Sequence, residues 1–402
     1  MMDIEMFQKG ARGALVAIQD TDPRLGHWQH YAFVPDLLPD ETPAMDPRVY
    51  LAVAEARASL AALDSTARQL PNPTLLRSPA LRREAQSTSA LEGTYAPIAE
   101  VLIADEEAPP TADLTEILNY VRMAQHGFDW VGDGRPITVS ILCDLQGLLM
   151  RGLPPAEDDG RLRSRQVVIG RRADADPAGF PVHGASFVPS PPGSRLEAGV
   201  HDLVGWLRAD HRGRIDPVVA AAMSHYQFEA LHPFRDGNGR VGRLLIVLHL
   251  LVAGVLSEPT LTVSPWFEAR RAAYYDHLLE VSTTGDWTGF VEFFAEGLGA
   301  AAEATRREMV ALVAVQAELK ELVRASPLRA DSAHTLVDLA IANPSFTVRR
   351  VEANLGLSYG RANRLVSQLV DLGVLQVVDA DAYKRRFFAP RVLEVLTRGW
   401  TG

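Results

Sequence analysis

The chain of 402 residues has a single cysteine, Cys143, so it can close no intrachain disulfide and build no Cys-rich metal framework. It lacks a long hydrophobic run: the longest, Leu244 to Leu256, is interrupted by His249 and falls well short of the ~20 residues that span a bilayer. It has no positive excess. With 40 basic against 50 acidic residues the formal charge is -10, so general attraction to nucleic acid or anionic membrane is not expected, and any polyanion must meet a local basic site. The opening MMDIEMFQKGARG has no basic head followed by an apolar stretch, so no secretory signal is expected and the reading is cytoplasmic, with no membrane partner. Internal repeats and low-complexity tracts are also missing. What is there, 47% hydrophobic and 22% charged, is an ordinary globular composition with length for two to three domains.

Ala, Leu and Val recur at three- and four-residue spacings along most of the chain, which predicts a mainly α protein. Residues 1–45, rich in Pro, Asp and Trp, read as an irregular arm. Helices are expected from Pro47 to Asp64, across SPALRREAQSTSALEG to Gly93, and at 111–129, 136–152, 194–210, 215–230, 238–255, 264–281 and 286–323. Residues 165–192 break the pattern: QVVIG and ASFVPS flank a Pro/Gly-rich connection, which reads as a β-hairpin, an ordinary surface one if it stood alone.

The nonapeptide HPFRDGNGR, His232 to Arg240, concentrates unusual chemistry immediately before an apolar helix. Asn238 can cap that helix, which places the glycines at its N-terminus, where backbone N–H groups and the helix dipole favour an anion. Gly237 and Gly239 remove the side chains that would hold a phosphate away from the backbone. Arg240 and Arg243, three apart on one face, offer fork geometry to phosphate oxygens. Asp236 suits a hard cation such as Mg²⁺ bridging phosphates, and His232 has a pKa suited to accepting a proton near neutrality. Asp-Gly-Asn-Gly alone is a common turn. His225 and His232 as metal ligands would need a carboxylate or thiolate set that the sequence does not supply.

HPFRDGNGRVGR resembles the Fic family signature His-x-Phe-x-Asp/Glu-Gly-Asn-Gly-Arg-x-x-Arg at every defined position. FVPDLLPDE (33–41), residues 71–94, RSRQVVIG (163–170), ASFVPSPP (185–192) and residues 270–287 are similar to segments of long single-chain Fic proteins. The resemblance implies a helical core with a β-hairpin flap over the site and transfer of AMP from ATP to a Ser, Thr or Tyr hydroxyl of a protein. It makes His232 the base, Phe234 a core anchor and Asp236 the Mg²⁺ (or Mn²⁺) ligand. Gly237, Asn238 and Gly239 become the anion-binding turn, with Arg240 and Arg243 on the β- and γ-phosphates. The flap, through Ser186, Phe187 and Val188, is implied to take a target segment as an extra strand. TSALEG, Thr88 to Gly93, matches the family's inhibitory pattern Ser/Thr-x-x-x-Glu-Gly/Asn, in which Thr88 orients Glu92 and Glu92 occupies Arg243. Two departures stand out. Arg270-Arg271 precedes Tyr274-Tyr275 where Asn-Arg is common, which leaves nucleobase contacts unassigned, and Ser190 replaces a second flap proline.

After the polar junction RASPLRADS, residues 346–388 read as helix, turn at Gly356, helix and two strands, a winged helix-turn-helix pattern. Nine Arg/Lys against seven Asp/Glu give residues 331–402 a balance of +2. Arg361, Arg364, Lys384, Arg385 and Arg386 are candidates for DNA phosphates, but that balance is weak support, and dimerisation or target docking is an equal expectation. The expected division is 1–110 as a helical domain with the inhibitory helix, 111–325 as the catalytic core and 326–402 as the winged helix. The expected function is adenylyl transfer held down by Glu92. AMP removal by the same site, or a DNA-binding regulator with a nucleotide-sensing core, are the alternatives.

Overall fold

The computed structural model describes residues 4–7, 10–70, 72–105, 108–154, 159–328, 331–379, 381 and 385–398. Lys384 therefore lies outside the described residues. The segment read as an irregular arm is instead an antiparallel hairpin, β1 (Gly13–Asp22) and β2 (Gly26–Pro35), in register from Gly13 opposite Pro35 to Asp22 opposite Gly26. The Asp22 carboxylate accepts the Arg24 and Leu25 amides at the turn, and Gly26 takes the positive φ that leads out of it. Most of this ladder faces solvent, so its apolar alternation is diluted by polar residues and overshadowed by the proline-rich stretch that follows.

The helices follow the predicted spacings closely. They are α1 (Pro47–Gln69), α2 (Arg77–Glu92), α3 (Ile98–Ile103), α4 (Ala112–Gly132), α5 (Val139–Leu149), the single turn α6 (Pro181–Gly184), α7 (Ser194–Arg208), α8 (Pro217–Leu231) and α9 (Asn238–Val252). Local chemistry sets their ends. Thr138 caps α5 by accepting the Ile141 amide, and Asp216 caps α8 by accepting that of Val218. Gly93 ends α2 in the left-handed region. The single helix expected over 264–281 is two, α10 (Ser264–Ala269) and α11 (Arg271–Thr284), because Arg270 leaves helical geometry at φ -124, ψ 30. Then come α12 (Thr288–Ala325), α13 (Asp331–Ala342), β3 (Phe346–Thr347), α14 (Val348–Leu355), α15 (Tyr359–Asp371), β4 (Gln376–Val377), β5 (Arg386–Phe388) and α16 (Pro390–Thr397). The helix, Gly356 turn, helix and two strands expected near the C-terminus are present, and β3 joins them in a sheet of order β3-β5-β4.

The chain divides into two compact units, each discontinuous in sequence. One is Met1–Ala58, Arg122–Val255 and Ala269–Gly299, and the other Ser59–Val121, Leu256–Glu268 and Ala300–Gly402. In the first, α8 and α9 are buried over nearly their whole length, which is why LLIVLHLLV is apolar on every face rather than on a stripe. In the second, α2 is buried despite its polar sequence. Glu84 accepts the amide and hydroxyl of Ser264, Arg83 pairs with Glu308 at 3.1 Å, and Arg82 donates to the Val101 carbonyl. Buried polar groups are tolerated when hydrogen-bonded in this way. Among the described residues no helix is long and apolar enough to cross a membrane.

Candidate functional site

The site is built where α8 stops. Pro233 has no N–H to continue the helix and crowds the preceding residue out of the right-handed helical region. His232 accordingly turns left-handed, at φ 50 and ψ 62, with its own N–H donating to the Phe228 carbonyl at 2.9 Å. Among the described residues it is the sole non-glycine with positive φ, a conformation costing about 1–3 kcal/mol that surrounding contacts must offset.

Arg163 supplies those contacts. Its Nε donates to the His232 carbonyl at 2.8 Å, and Nη2 donates to the Leu231 and Ser190 carbonyls. Its Nη1 donates to the Arg165 carbonyl at 3.2 Å, and its backbone N–H to that of Pro233 at 2.9 Å. Burial lowers its pKa from 12.5 to about 10, which still leaves a cation at neutral pH. One guanidinium thus ties the His232 turn to both ends of the flap. The sequence gives no hint of this, since Arg163 is one of three arginines in RLRSR, and only its carbonyl partners distinguish it.

A second residue missed from sequence is Glu229, one turn before His232. Its Oε2 lies 3.9 Å from His232 Nδ1, an ion-pairing distance once the ring is protonated. A Cβ at Gly242 would lie 2.3 Å from Glu229 Oε1 and 3.0 Å from the Phe228 ring. Glycine at that point of α9 therefore leaves room for Glu229 beside the His232 ring.

Beyond His232, the chain is anchored by Phe234, fully buried with its ring 6.2 Å from that of Phe228. Asn238 does not cap α9 as the sequence suggested. The cap is Gly237 at φ 81, and Asn238 is the first helical residue. Its amide instead brackets Phe234, accepting its N–H and donating to its carbonyl, both at 2.8 Å. The reason is steric: a Cβ at Gly237 would lie 2.7 Å from the Leu149 side chain, so the tight left-handed position goes to glycine and the amide clamps the loop. Gln146 fixes the other side, donating to the Asp236 carbonyl at 3.2 Å while accepting the Gly160 N–H.

These anchors fix the first turn of α9, with Gly239 and its neighbours, whose amides have no earlier carbonyl to satisfy them, an arrangement chemically able to receive an anion. Arg240 and Arg243 are 2% and 1% exposed. Arg240 reaches Asp236 Oδ1 at 3.3 Å, and Asp236 remains 60% exposed. Below them His225 donates from Nδ1 to the Gly242 carbonyl and accepts from the Tyr274 hydroxyl at 2.7 Å. Burial, and then the Arg243 charge, drive its pKa from 6.5 to about 3. His225 is therefore a neutral strut, and Tyr274 has a structural role.

His249, at the far end of α9, is lowered from 6.5 to about 4 by burial and by His211. For both rings the unfolded chain binds a proton below about pH 6.5 and the fold does not, so their stabilising contribution is full above that pH and is lost as pH falls toward 3–4. At pH 5 the loss is about 2 kcal/mol per ring. The urea midpoint should fall between pH 7.5 and 5, and His249→Phe should roughly halve the fall. A midpoint unchanged over that range would mean the rings take protons within the fold.

The expected flap is a reduced hairpin: one bridge joins Ile169 and Phe187, which exchange hydrogen bonds of 2.9 and 3.0 Å, and α6 fills the connection. Ser186 is partly exposed, while Phe187 and Val188 are buried in a cluster with Ala32 and Phe33 of β2. The Phe33 N–H donates to the Val188 carbonyl at 2.8 Å, so β2 already uses that edge. In the second unit, Thr88 is buried and Glu92 exposed one turn later on α2, ahead of the Gly93 cap. Among the described residues no group of three His, Cys, Asp or Glu side chains is placed to hold a metal ion.

Comparison with known proteins finds likeness at three levels: family models, sequence relatives and solved structures. The family described as Fic/DOC family N-terminal matches residues 50–129, and that described as Fic/DOC family matches 136–250. Protein adenylyltransferase fic-1 of Caenorhabditis elegans is 32% identical over 160 residues, 40% of this chain and 27% of that protein. Protein adenylyltransferase Fic of Drosophila melanogaster is 31% identical over 160 residues, 40% of this chain and 28% of that protein. The matched stretch thus spans little more than a quarter of these relatives. The fold is shared with a crystal structure of a Fic family protein from Desulfovibrio desulfuricans G20 at 24% identity and a TM-score of 0.53, covering 87% of this chain and 98% of that one.

Proposed function

Since the Fic/DOC matches over residues 50–129 and 136–250 place the chain in that family, we propose that it transfers AMP from ATP to a Ser, Thr or Tyr hydroxyl of a protein. The observation that carries this reading is the left-handed His232, held one short loop ahead of a helix N-terminus backed by two buried arginines. His232, with Nδ1 turned toward Glu229, takes the acceptor hydroxyl proton on its other ring nitrogen. The hydroxyl oxygen attacks the α-phosphorus, the bond to the bridging oxygen breaks, and pyrophosphate leaves. Glu229 stabilises the imidazolium that forms. The α9 amides, Arg240 and Arg243 hold the β- and γ-phosphates, so that charge moving onto pyrophosphate meets fixed donors.

The donor set fits Mg²⁺ or Mn²⁺ of the kind bound by one carboxylate plus phosphate oxygens and waters. Asp236, exposed beside the cradle, would hold it, and the ion when bound would neutralise phosphate charge. The target is read through the flap. Because the Val188 carbonyl is taken by β2, an incoming strand meets the opposite edge through Val168 and Gly170, whose backbone groups alternate away from the Ile169–Phe187 bridge. Glu92, exposed at the end of α2, restrains transfer until displaced.

The test is mass spectrometry of the protein and a candidate acceptor after incubation with ATP and Mg²⁺. An AMP adduct is expected, absent in excess EDTA and reduced about 10²-fold or more by Asp236→Ala. A full adduct yield in EDTA would remove the metal from the reaction, and none under any condition would remove the activity.

A further inference from the structure

We propose that the second unit carries a separate binding site for a small polyphosphate anion, in a cavity of about 840 Å³ lined by Arg82, Arg349, Arg350, Arg385 and Arg386. One carboxylate, Asp105, shares that lining and Glu352 pairs with Arg349 beside it, so five guanidiniums meet two negative charges within a chain whose net charge is -10. Such a concentration of cations is costly unless an anion is there to receive it.

The arginines fall into two sets. Three are committed to the fold. Arg82 is buried and donates to the Val101 carbonyl, and Arg386 pairs with Asp105 at 3.2 Å and donates to the Ser345 hydroxyl at 2.7 Å. Arg349 pairs with Glu352 at 2.8 Å, with its guanidinium 4.6 Å from the Tyr359 ring centre. The other two are exposed and are held only by neutral groups. Arg350 donates to the neutral Asn343 amide oxygen at 3.0 Å, and Arg385 lies over the Phe387 ring at 6.0 Å. Among the described residues no carboxylate pairs with either. The first turn of α14 also lines the cavity, which adds the positive end of a helix dipole.

The shape selects the ligand class. A concave space of this size matches a compact ligand rather than a duplex, and the outward helix arginines Arg361 and Arg364 take no part in the lining. Duplex binding rests instead on many phosphate contacts spread along a surface. Two or three linked phosphates, inorganic or carried by a nucleoside able to stack on the exposed Tyr359, fit the cluster. The cavity also includes Ser78 and Arg82 of α2, so the ligand would touch the helix whose other end carries Thr88 and Glu92.

The full-length chain is titrated calorimetrically with sodium tripolyphosphate, in the wild type, in Arg350→Gln/Arg385→Gln and in Arg243→Ala. Both replaced arginines of the double variant are exposed, so the fold should persist. Loss of two charge-assisted contacts should weaken one binding event by about 10²-fold or more, while Arg243→Ala leaves that event in place and weakens the other. Hydrogen exchange should slow at 346–350 and 385–388 on addition of tripolyphosphate. Repeating the titration with ATP in Arg243→Ala separates the sources: equal affinity means the phosphate chain alone is read, and tighter binding means the nucleoside is read too. Undiminished tripolyphosphate binding in the double variant would overturn the proposal. So would a duplex DNA that binds through Arg350 and Arg385 while tripolyphosphate does not. Because the Arg243→Ala arm reports on the other site independently, failure here leaves the adenylyl-transfer reading standing, and the reverse also holds.

Discussion

Replacing His232 by alanine should lower AMP transfer by about 10²- to 10⁴-fold, the range of a positioned general base, while ATP binding stays within a few-fold of the parent. The separation follows from the geometry. The ring hangs from a left-handed turn held by Arg163 through the backbone carbonyl, so truncating the side chain leaves the turn and the α9 cradle in place. The backbone does respond, since alanine at a positive φ is less comfortable than a residue with local polar partners. The stability of the variant should therefore be measured beside its activity. His232→Asn, which tolerates the left-handed region better, provides the control: equally inactive but closer to parental stability. Transfer at the parental rate in either variant would remove His232 from the chemistry.

The second large effect is a gain. Glu92→Gly should raise self-modification and target modification by about 10²- to 10³-fold, the worth of one well-placed charge contact in a transition state. Glu92 is exposed and lies at the last position of α2 before the Gly93 cap, so the stability of this variant is measured beside its activity. If the restraint acts through Arg243, Arg243→Ala should cancel the gain, and the two substitutions will be strongly non-additive. The set is wild type, both single variants and the double variant, under the same ATP and Mg²⁺. An unchanged Glu92→Gly enzyme would leave Glu92 as a helix-end residue, and an inactive one would assign it to AMP removal.

The sequence made the helices and the nonapeptide legible for one reason: both are local. Three- and four-residue spacing is written within a few turns of chain, and HPFRDGNGR concentrates histidine, carboxylate, glycines and arginines in nine residues that fold as one loop and one helix start. The N-terminal hairpin is not legible in the sequence because its partner surface is distant. Ala32 and Phe33 are buried against Val182, Phe187 and Val188, roughly 150 residues away, and without that contact the alternation of β1 and β2 looks like noise. Asn238 clamps Phe234 although an amide before a helix is ordinarily its cap. What overrode the rule was a close approach of Leu149 to Gly237, which no spacing in the sequence records.

From composition and pattern alone come the mainly α class, the start of α9 at the nonapeptide, the order of histidine, carboxylate and arginines along it, and the exclusion of intrachain disulfide or Cys-rich metal chemistry. These depend on residue identity and on separations within a helix or a loop, which covalent geometry transmits unchanged. Tertiary structure decided which side chains complete the site. Arg163 clamps the His232 turn, Glu229 stands beside its ring over Gly242, His225 is a neutral strut under Arg243, and β2 covers one edge of the flap. It also brought arginines from α2, α14 and β5 to one cavity, although residues 331–402 carry a balance of only +2. Electrostatic and hydrogen-bonding partnerships act over a few ångströms of space, and the chain meets itself at those distances through packing that its linear order does not encode.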